Sequence, residues 1–307
     1  MLMVLKERQG KYMMNRNLIK GYILVILSAF FFGCVPLIAR HIYAAGINRE
    51  STVLLRNLLA LPVLALLTWR EGKSFRIPLK TIPMITAIAL TGCCITPLLL
   101  YGSYQYIATG TATVFHFIYP AVVVLIGLLF LRKKFGVKTL VAVVVCVAGI
   151  CLFYNPAEPL DLTGCSLALI SGVTYAVYVV LLSGFRSKDV SGFKLCFCIS
   201  IVCSVVMLAV CLLMGKLTLP TDITGWLLCI LLALLVNVGA SVMFQQGTFY
   251  IGGERASVLS TVEPLTGVVV GMLAFDEKVT VFTGVGSALV IVACVLIATA
   301  DRKKKEA

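Results

Sequence analysis

The sequence predicts an all-α polytopic membrane protein with ten transmembrane helices, arranged as two inverted five-helix repeats. Three observations predict this fold class. The chain is 60% hydrophobic and only 13% charged, about half the charged fraction of a soluble domain. It contains a long internal duplication. Its basic residues lie in short loops between apolar runs of about 20 residues, the length that crosses a bilayer.

The duplication is clearest where residues 250–286 repeat residues 106–142 without a gap, with 12 of 37 aligned positions identical. Pro264 aligns with Pro120 in this match. A second match, at nearly the same offset, pairs residues 27–29 with 170–172. Solenoid and propeller repeats are only about 20–50 residues long. A period of this length is typical instead of transporters built from two packed half-proteins.

The ten apolar segments can be read in order from the N-terminus. The first, Gly21–Ala44, is longer than the roughly 7–15 residues of a signal-peptide core, so we interpret it as an uncleaved span. The others are Ser51–Trp69, Ile82–Tyr104, Ala108–Leu131, Thr139–Tyr154, Gly164–Gly184, Phe193–Met214, Gly225–Phe249, Ala256–Phe275 and Val281–Ala300. The predicted organisation is a basic cytoplasmic tail (1–20), repeat 1 (21–154), an external linker (155–163), repeat 2 (164–300) and a second basic cytoplasmic tail (301–307).

The orientation follows from the positions of the 26 Lys and Arg residues. With a cytoplasmic N-terminus, 21 of them lie in cytoplasmic segments and 4 in exterior ones, which predicts that both termini are cytoplasmic. Because five helices per half is an odd number, the second half must be inverted relative to the first. The loop after the fourth helix agrees, since Lys133 in the first copy aligns with Glu277 in the second. We expect a multi-pass protein of the cell membrane.

Several residues carry a resemblance to a known family. They are Arg56 with Ala60, the prolines of Tyr119-Pro120 and Glu263-Pro264, and the run from Gly271 to Glu277 that leads to Gly284. With ten helices in two copies, the chain resembles the EamA-type transporters of the drug/metabolite transporter superfamily over residues 21–300. The resemblance implies a ten-helix basket with a central cavity that moves small metabolites, amino acids or drugs. The family often has an acid after the fourth helix of each copy, and Lys133 departs from this pattern.

Glu263 is the main candidate for a functional group, because it is the one carboxylate deep in a predicted span. A charged side chain at that depth costs about 2.5–3.5 kcal/mol and usually faces a cavity or a partner. Burial favours the protonated acid, so Glu263 is a proton-coupling candidate; the alternative is a structural acid. The duplication places Tyr119 opposite Glu263 and brings His116 to the same face. His116 is either a proton carrier or a histidine bonded between packed helices.

Three further helix faces carry polar or aromatic residues at a spacing of three or four. These are Asn237, Ser241 and Gln245 on the eighth helix, Pro97, Tyr101 and Gln105 on the third, and Ser171, Tyr175 and Tyr178 on the sixth. Such side chains contact either a ligand or a neighbouring helix. We favour ligand contact for Gln245 and Tyr101, and leave both alternatives open for Asn237, Tyr175 and Tyr178. Arg56 either snorkels to the outer surface or pairs with a substrate carboxylate.

The sequence favours a secondary transporter that moves a small-molecule substrate across the bilayer by alternating access. A net charge of +13 does not indicate nucleic acid, because no recognition motif accompanies the basic loops. The twelve cysteines lie inside predicted spans, where they act as small apolar residues, and we expect neither a metal nor a cofactor. A membrane-embedded enzyme is disfavoured because the common hydrolase motifs are missing from the sequence. A lipid flippase or channel on the same scaffold is the alternative, and the oligomeric state is left open.

Overall fold

The computed structural model describes residues 2–72, 74–152, 154, 161–185, 190–266, 269 and 280–299. Helices account for most of this part of the chain, and it contains no β-strand. Eight helical stretches in it are long and apolar enough to cross a membrane. A ninth apolar helix, Val137–Cys151, is shorter. The predicted external linker (in its residues 155–160), Gly267, Gly271, Glu277 and the tail at 301–307 lie outside the described residues.

The first repeat consists of helices that are interrupted at prolines and glycines. Helix α1 begins at Leu2, so the helix extends through the predicted N-terminal tail. The bounds are α1 Leu2–Gly33, α2 Val35–Ala44, α3 Arg49–Leu58, α4 Leu61–Arg70, a 3₁₀ turn at Leu79–Thr81, α5 Ile82–Ile88, a first π-helical segment at Ala89–Ile95, α6 Thr96–Ser103, α7 Thr109–His116, α8 Tyr119–Leu129 and α9 Val137–Cys151.

The second repeat begins with two helices that are not interrupted, and it resembles the first repeat from its π-helical segment onward. Its bounds are α10 Leu162–Gly184, α11 Gly192–Leu213, α12 Ile223–Ala233, a second π-helical segment at Leu234–Ser241, α13 Val242–Ile251, α14 Gly253–Leu259 and α15 Val281–Thr299, with residues 262–266 also helical. The two π-helical segments therefore lie at corresponding positions, about 145 residues apart. π-Helical turns are rare and occur frequently at functional sites.

The prolines of the fourth and ninth predicted helices coincide with breaks at matching positions. Turn residues 117–118 separate α7 from α8 just before Pro120, and turn residues 260–261 separate α14 from the helical stretch at 262–266, which contains Pro264. A proline lacks the N–H of a helical hydrogen bond, and its ring clashes with the carbonyl four residues earlier. Each break therefore divides its helix close to Tyr119 and Glu263.

Helices of the two repeats pack against each other. Helices α9 and α15 pack against each other along their lengths, and α1 packs on α13. Helix α10 contacts α6, α7 and α8, while α11 contacts α3 and α4. The contacts of α10 and α11 with first-repeat helices join the two halves into one core, and α14 packs on α8 inside it.

Candidate functional site

Arg56 on α3 is directed into the protein, where its residue is only 7% exposed. Its Nη1 donates to the Tyr101 hydroxyl at 3.2 Å, and its Nη2 donates to the Cys93 carbonyl at 3.2 Å. The Nε of Arg56 is buried without a hydrogen-bond partner. Within the described residues, no carboxylate lies within ion-pair distance of this guanidinium. Arg56 therefore holds a buried positive charge and an unused donor.

The position of Arg56 depends on Pro97, which lies at the start of α6. The carbonyl four residues before Pro97 is that of Cys93, and Pro97 has no N–H to donate to it. The preceding π-helical segment ends with Thr96 N donating to Thr91 O, which accommodates the proline. Arg56 supplies a donor to the Cys93 carbonyl instead. Local helix chemistry thus fixes one side of the guanidinium.

Glu263 lies just after the break in the ninth predicted helix, and three tyrosines, Tyr104, Tyr119 and Tyr175, are within electrostatic range of its carboxylate. The residue keeps partial solvent accessibility. In the described part of the chain, Glu263 forms no ion pair. Its backbone N–H donates to the Ser260 carbonyl at 2.9 Å.

An aromatic cluster forms the wall beside Glu263. The ring centroids of Tyr119 and Tyr175 are 4.8 Å apart in an edge-to-face arrangement, and His116 lies 5.6 and 5.4 Å from them. Tyr178 is 5.2 Å from Tyr175 and stacks on Phe244 at 6.1 Å. The rings come from α7, α8, α10 and α13, so both repeats contribute to this wall.

His116 forms a specific contact between helices. Its Nδ1 lies 2.8 Å from Ser171 Oγ, and the Ser171 hydroxyl itself donates to the Ala168 carbonyl at 2.6 Å. With that proton committed, the imidazole Nδ1–H is the donor to Ser171. This is the contact expected of a histidine bonded between packed helices, and it fixes the orientation of the ring beside Tyr119.

Asn237 and Gln245, both on the eighth predicted helix, have different surroundings. Asn237 Nδ2 donates to Asn57 Oδ1 at 2.9 Å and to Ser200 Oγ at 3.3 Å, which connects three helices. Gln245 is fully buried, with the Tyr178 hydroxyl and the Cys196 thiol beside its amide, although neither amide atom makes a hydrogen bond of normal geometry among the described residues. Asn237 thus has the surroundings of an interhelical contact, whereas Gln245 retains unused hydrogen-bonding capacity.

Four residues of this part of the helix bundle keep partial solvent accessibility, and we infer that they line an internal chamber: Cys93, Tyr104, Tyr175 and Glu263. Of the predicted site residues, Tyr175 and Glu263 line this chamber directly. His116, Tyr119 and Tyr178 contact its aromatic wall, and Arg56 with Tyr101 borders it at Cys93. Asn237 and Gln245 are buried in the helices behind it.

Sequence reasoning missed Tyr43, Cys93 and Tyr104. The Tyr101 ring lies 6.4 Å from Tyr43 and 5.9 Å from Tyr104. Tyr104 is three residues after Tyr101, so the helical spacing was available as a signal. Tyr43 comes from a different helix and has no such signal. Its buried hydroxyl makes no hydrogen bond within the described residues.

Comparison with known proteins then shows the family. The model of the EamA-like transporter family matches residues 19–155 and again residues 162–299. The chain belongs to the EamA-like transporter family. The two matches assign one copy of the family unit to each half of this EamA-like chain. Together with the apolar helices, they make it a membrane protein of a transporter family.

Relatives of this EamA-like protein share its length. An uncharacterized transporter of Archaeoglobus fulgidus is 27% identical over 283 residues, which cover 91% of this chain and 96% of the relative. The uncharacterized inner membrane transporter YicL of Salmonella typhimurium is 23% identical over 295 residues, covering 94% and 98%. A solved crystal structure aligns with a TM-score of 0.74 at 14% identity, covering 94% of this chain and 99% of that chain, and so shares the fold.

Proposed function

We propose that this EamA-like protein is a secondary transporter that moves a small metabolite bearing a carboxylate or similar anionic group across the cell membrane. In this proposal ten helices form two inverted repeats, and the chamber between them opens alternately to the two sides. The observation that carries the proposal is Arg56, a buried guanidinium without a carboxylate partner among the described residues, at the border of a partly accessible chamber.

A buried guanidinium is costly unless its charge and donors are used. Insertion scales put the cost of an arginine at the helix centre at about 2.5–3.5 kcal/mol, and intramembrane charges usually pair with one another or with backbone carbonyls and mark substrate pathways. Tyr101 and the Cys93 carbonyl use two of the donors of Arg56, and Nε stays free. The planar guanidinium matches a carboxylate in two-point geometry. A carboxylate-bearing solute would therefore supply both the missing charge and the missing acceptor.

Glu263 supports coupling of this transport to protons. Glu263 has no basic partner among the described residues and keeps partial solvent accessibility, so that a proton can reach and leave its carboxylate. Tyr104, Tyr119 and Tyr175 surround it with a mostly aromatic wall. We propose that Glu263 takes up and releases one proton as the chamber changes the side to which it opens.

The broken helices support alternating access. Interrupted helices at the midplane, related by the repeat symmetry, are typical of secondary transporters. Here the breaks at 117–118 and 260–261 adjoin Tyr119 and Glu263, and the π-helical segments occupy matching positions in the third and eighth predicted helices. Regular α-helical hydrogen bonding is interrupted or altered at these four sites, as it is also between α1 and α2 and between α3 and α4.

Uptake into proteoliposomes tests the anionic substrate. A panel of small carboxylates is compared with the corresponding amides, with and without a pH gradient. We expect saturable uptake of one or more carboxylates. We expect Arg56→Gln to abolish it and Arg56→Lys, which keeps the charge but not the fork, to retain part of it with a raised KM.

Thermal unfolding of each purified variant confirms that it is folded. Full carboxylate uptake by a folded Arg56→Gln variant would contradict the role of Arg56 in substrate binding. Non-saturable uptake would instead indicate a channel, and movement of labelled phospholipid between leaflets would indicate a flippase.

A further inference from the structure

Lys133 and Glu254 form an ion pair that joins the two repeats at the face predicted to be cytoplasmic. The Nζ of Lys133 donates to Oε1 of Glu254 at 2.5 Å. Their side chains are 41% and 17% exposed, so the contact lies at the rim of the protein. Lys133 follows α8 of the first repeat, whereas Glu254 lies in the first turn of α14 of the second.

The backbone beside each partner has a left-handed conformation. Arg132 has φ +50°, and it is the one residue other than glycine with a positive φ in the described part of the chain. Gly252, two residues before Glu254, has φ +84°. The N–H of Lys133 donates to the Gly127 carbonyl at 2.9 Å. A left-handed non-glycine residue costs of order 1–3 kcal/mol and persists where surrounding contacts hold it, so the turn at Arg132 has a fixed shape that directs Lys133.

The ion pair joins two half-helices that each end at a break. Helix α8 extends from the break at 117–118 toward Lys133, and α14 extends from Glu254 to the break at 260–261. The two half-helices pack against each other. At their chamber ends lie Tyr119 and Glu263. Separation of α8 and α14 about the two breaks would therefore connect the chamber to the cytoplasmic side.

The sequence has no equivalent pair for the opposite face. At the repeat offset of 144, Gly110 corresponds to Glu254 and Glu277 corresponds to Lys133. A glycine has no side chain with which to bind the carboxylate of Glu277. The ion pair is therefore a feature of one side only, and it occupies the position at which Lys133 departs from the acid common in the family.

We propose that the Lys133–Glu254 ion pair is a cytoplasmic gate, which holds α8 and α14 together while the chamber is closed to the cytoplasm and breaks when it opens. This inference rests on the proposed alternating-access function. It assigns to these two residues control of the side to which the chamber opens, and no part in binding the solute.

Labelling of the chamber thiol of Cys93 tests the gate without a known substrate. The other eleven cysteines are replaced, and a membrane-impermeant charged methanethiosulfonate is added to the cytoplasmic face of inside-out vesicles. We expect Lys133→Gln and Glu254→Gln to raise the labelling rate by roughly two- to fivefold, the range for loss of a partly exposed ion pair. Lys133→Glu should raise it further by repulsion, and the charge-swapped double variant K133E/E254K should return it toward the parent rate.

The matched control is Lys134→Glu, which makes the same charge change one residue away, at an exposed position without an ion pair among the described residues. It should leave the labelling rate unchanged. Unchanged labelling in all Lys133 and Glu254 variants, or a charge swap that restores nothing, would overturn the gate. If labelling responds as expected but uptake does not depend on Arg56, the results support the gate and contradict the proposal of an anionic substrate. Absence of labelling from both faces in every variant would overturn both.

Discussion

Arg56 and Glu263 are ionisable groups to which the surrounding helices of the described structure offer no partner of opposite charge. Toward the rim of the protein, in contrast, a carboxylate has basic partners: Glu50 contacts both Arg49 at 3.0 Å and Lys216 at 3.6 Å. Both pairs join the buried Glu50 to a partly exposed basic side chain, whereas an ionisable group without a partner inside a membrane protein has an uncompensated cost. Retention of two such groups beside one chamber is the residue-scale argument for solute and proton binding.

Glu263→Gln should separate solute exchange from accumulation. The substitution keeps the size and most of the hydrogen-bonding capacity of the side chain but removes its titration. If Glu263 carries the coupled proton, the variant should still exchange solute across proteoliposomes, yet fail to accumulate it when a pH gradient is imposed. Counterflow and gradient-driven uptake of the same labelled carboxylate measure the two activities.

The outcome of that experiment has three readings. Accumulation that remains dependent on pH in Glu263→Gln would remove this residue from proton coupling. Loss of both activities with an unchanged unfolding temperature would place Glu263 in solute binding. Loss of folded protein would support the structural alternative, in which the acid is needed for packing beside Tyr119 and Tyr175.

Individual site residues could be predicted from the sequence better than their contacts. Arg56 was selected because it is a charged residue inside a predicted span, and Tyr101 because of its helical spacing. The 3.2 Å hydrogen bond between them was not predicted. Helical periodicity identifies a face, but it does not identify the neighbouring helix. Tyr43 illustrates this limit, because it reaches Tyr101 from another helix. Cys93 was missed because its contribution comes from a backbone carbonyl that Pro97 leaves unused.

At the scale of elements, proline explains some interruptions and not others. Pro120 and Pro264 predict the breaks at 117–118 and 260–261, and Pro97 accounts for the first π-helical segment. The second π-helical segment has no proline at the matching position, where Ser241 stands. Ser28 donates to the Ala240 carbonyl there at 2.8 Å. A proline in the local sequence therefore accounts for the π-helical segment of the first repeat, whereas a tertiary hydrogen bond accompanies that of the second. Only the first segment could be predicted from the sequence.

Two glycines of α15, one facing α9 and one facing open space, allow a test of how these two helices pack. A Cβ added at Gly286 would lie 2.6 Å from the Gly149 carbonyl oxygen, which belongs to the backbone and cannot rotate away. A Cβ at Gly284, on the same helix, would meet open space. We expect Gly286→Ala to destabilise the protein by about 1–3 kcal/mol, as overpacking does. Gly284→Ala should be neutral or slightly stabilising. Thermal unfolding in detergent measures both, and equal unfolding temperatures would contradict this account of the crossing.

At the scale of the whole molecule, contacts between distant loops agree with the predicted topology. Asn48 contacts Lys216 and Thr218, which the topology places together on the exterior. Ser191 donates to Glu71, and Lys194 Nζ donates to the Arg76 carbonyl at 2.7 Å, all in loops predicted to be cytoplasmic. Asn48 and Ser191 are both helix N-caps, 143 residues apart. Asn48 and Ser191 thus occupy the same position in the two repeats. Each contacts the loop that follows the second helix of the other repeat, Asn48 at the predicted exterior face and Ser191 at the predicted cytoplasmic face.

The absolute orientation is the last prediction, and it follows from charge. The loop contacts require that Lys133 and Glu254 share one side and that Asn48 and Lys216 share one side, but they do not say which side is the cytoplasm. The positive-inside rule identifies the cytoplasmic side, because 21 of 26 basic residues lie in the segments on the same side as the N-terminus. Reporter fusions after Lys80 and Lys134 should therefore report the cytoplasm, and fusions after Lys216 and Asp222 the exterior.

Because the N-terminal tail contributes five of these charges, its neutralisation should weaken but not reverse the pattern. A reporter after Asp222 on the same side as the reporter after Lys134 would contradict the inverted repeat. A uniform reversal of all four reporters would leave the repeat intact but place Lys133 and Glu254 on the exterior.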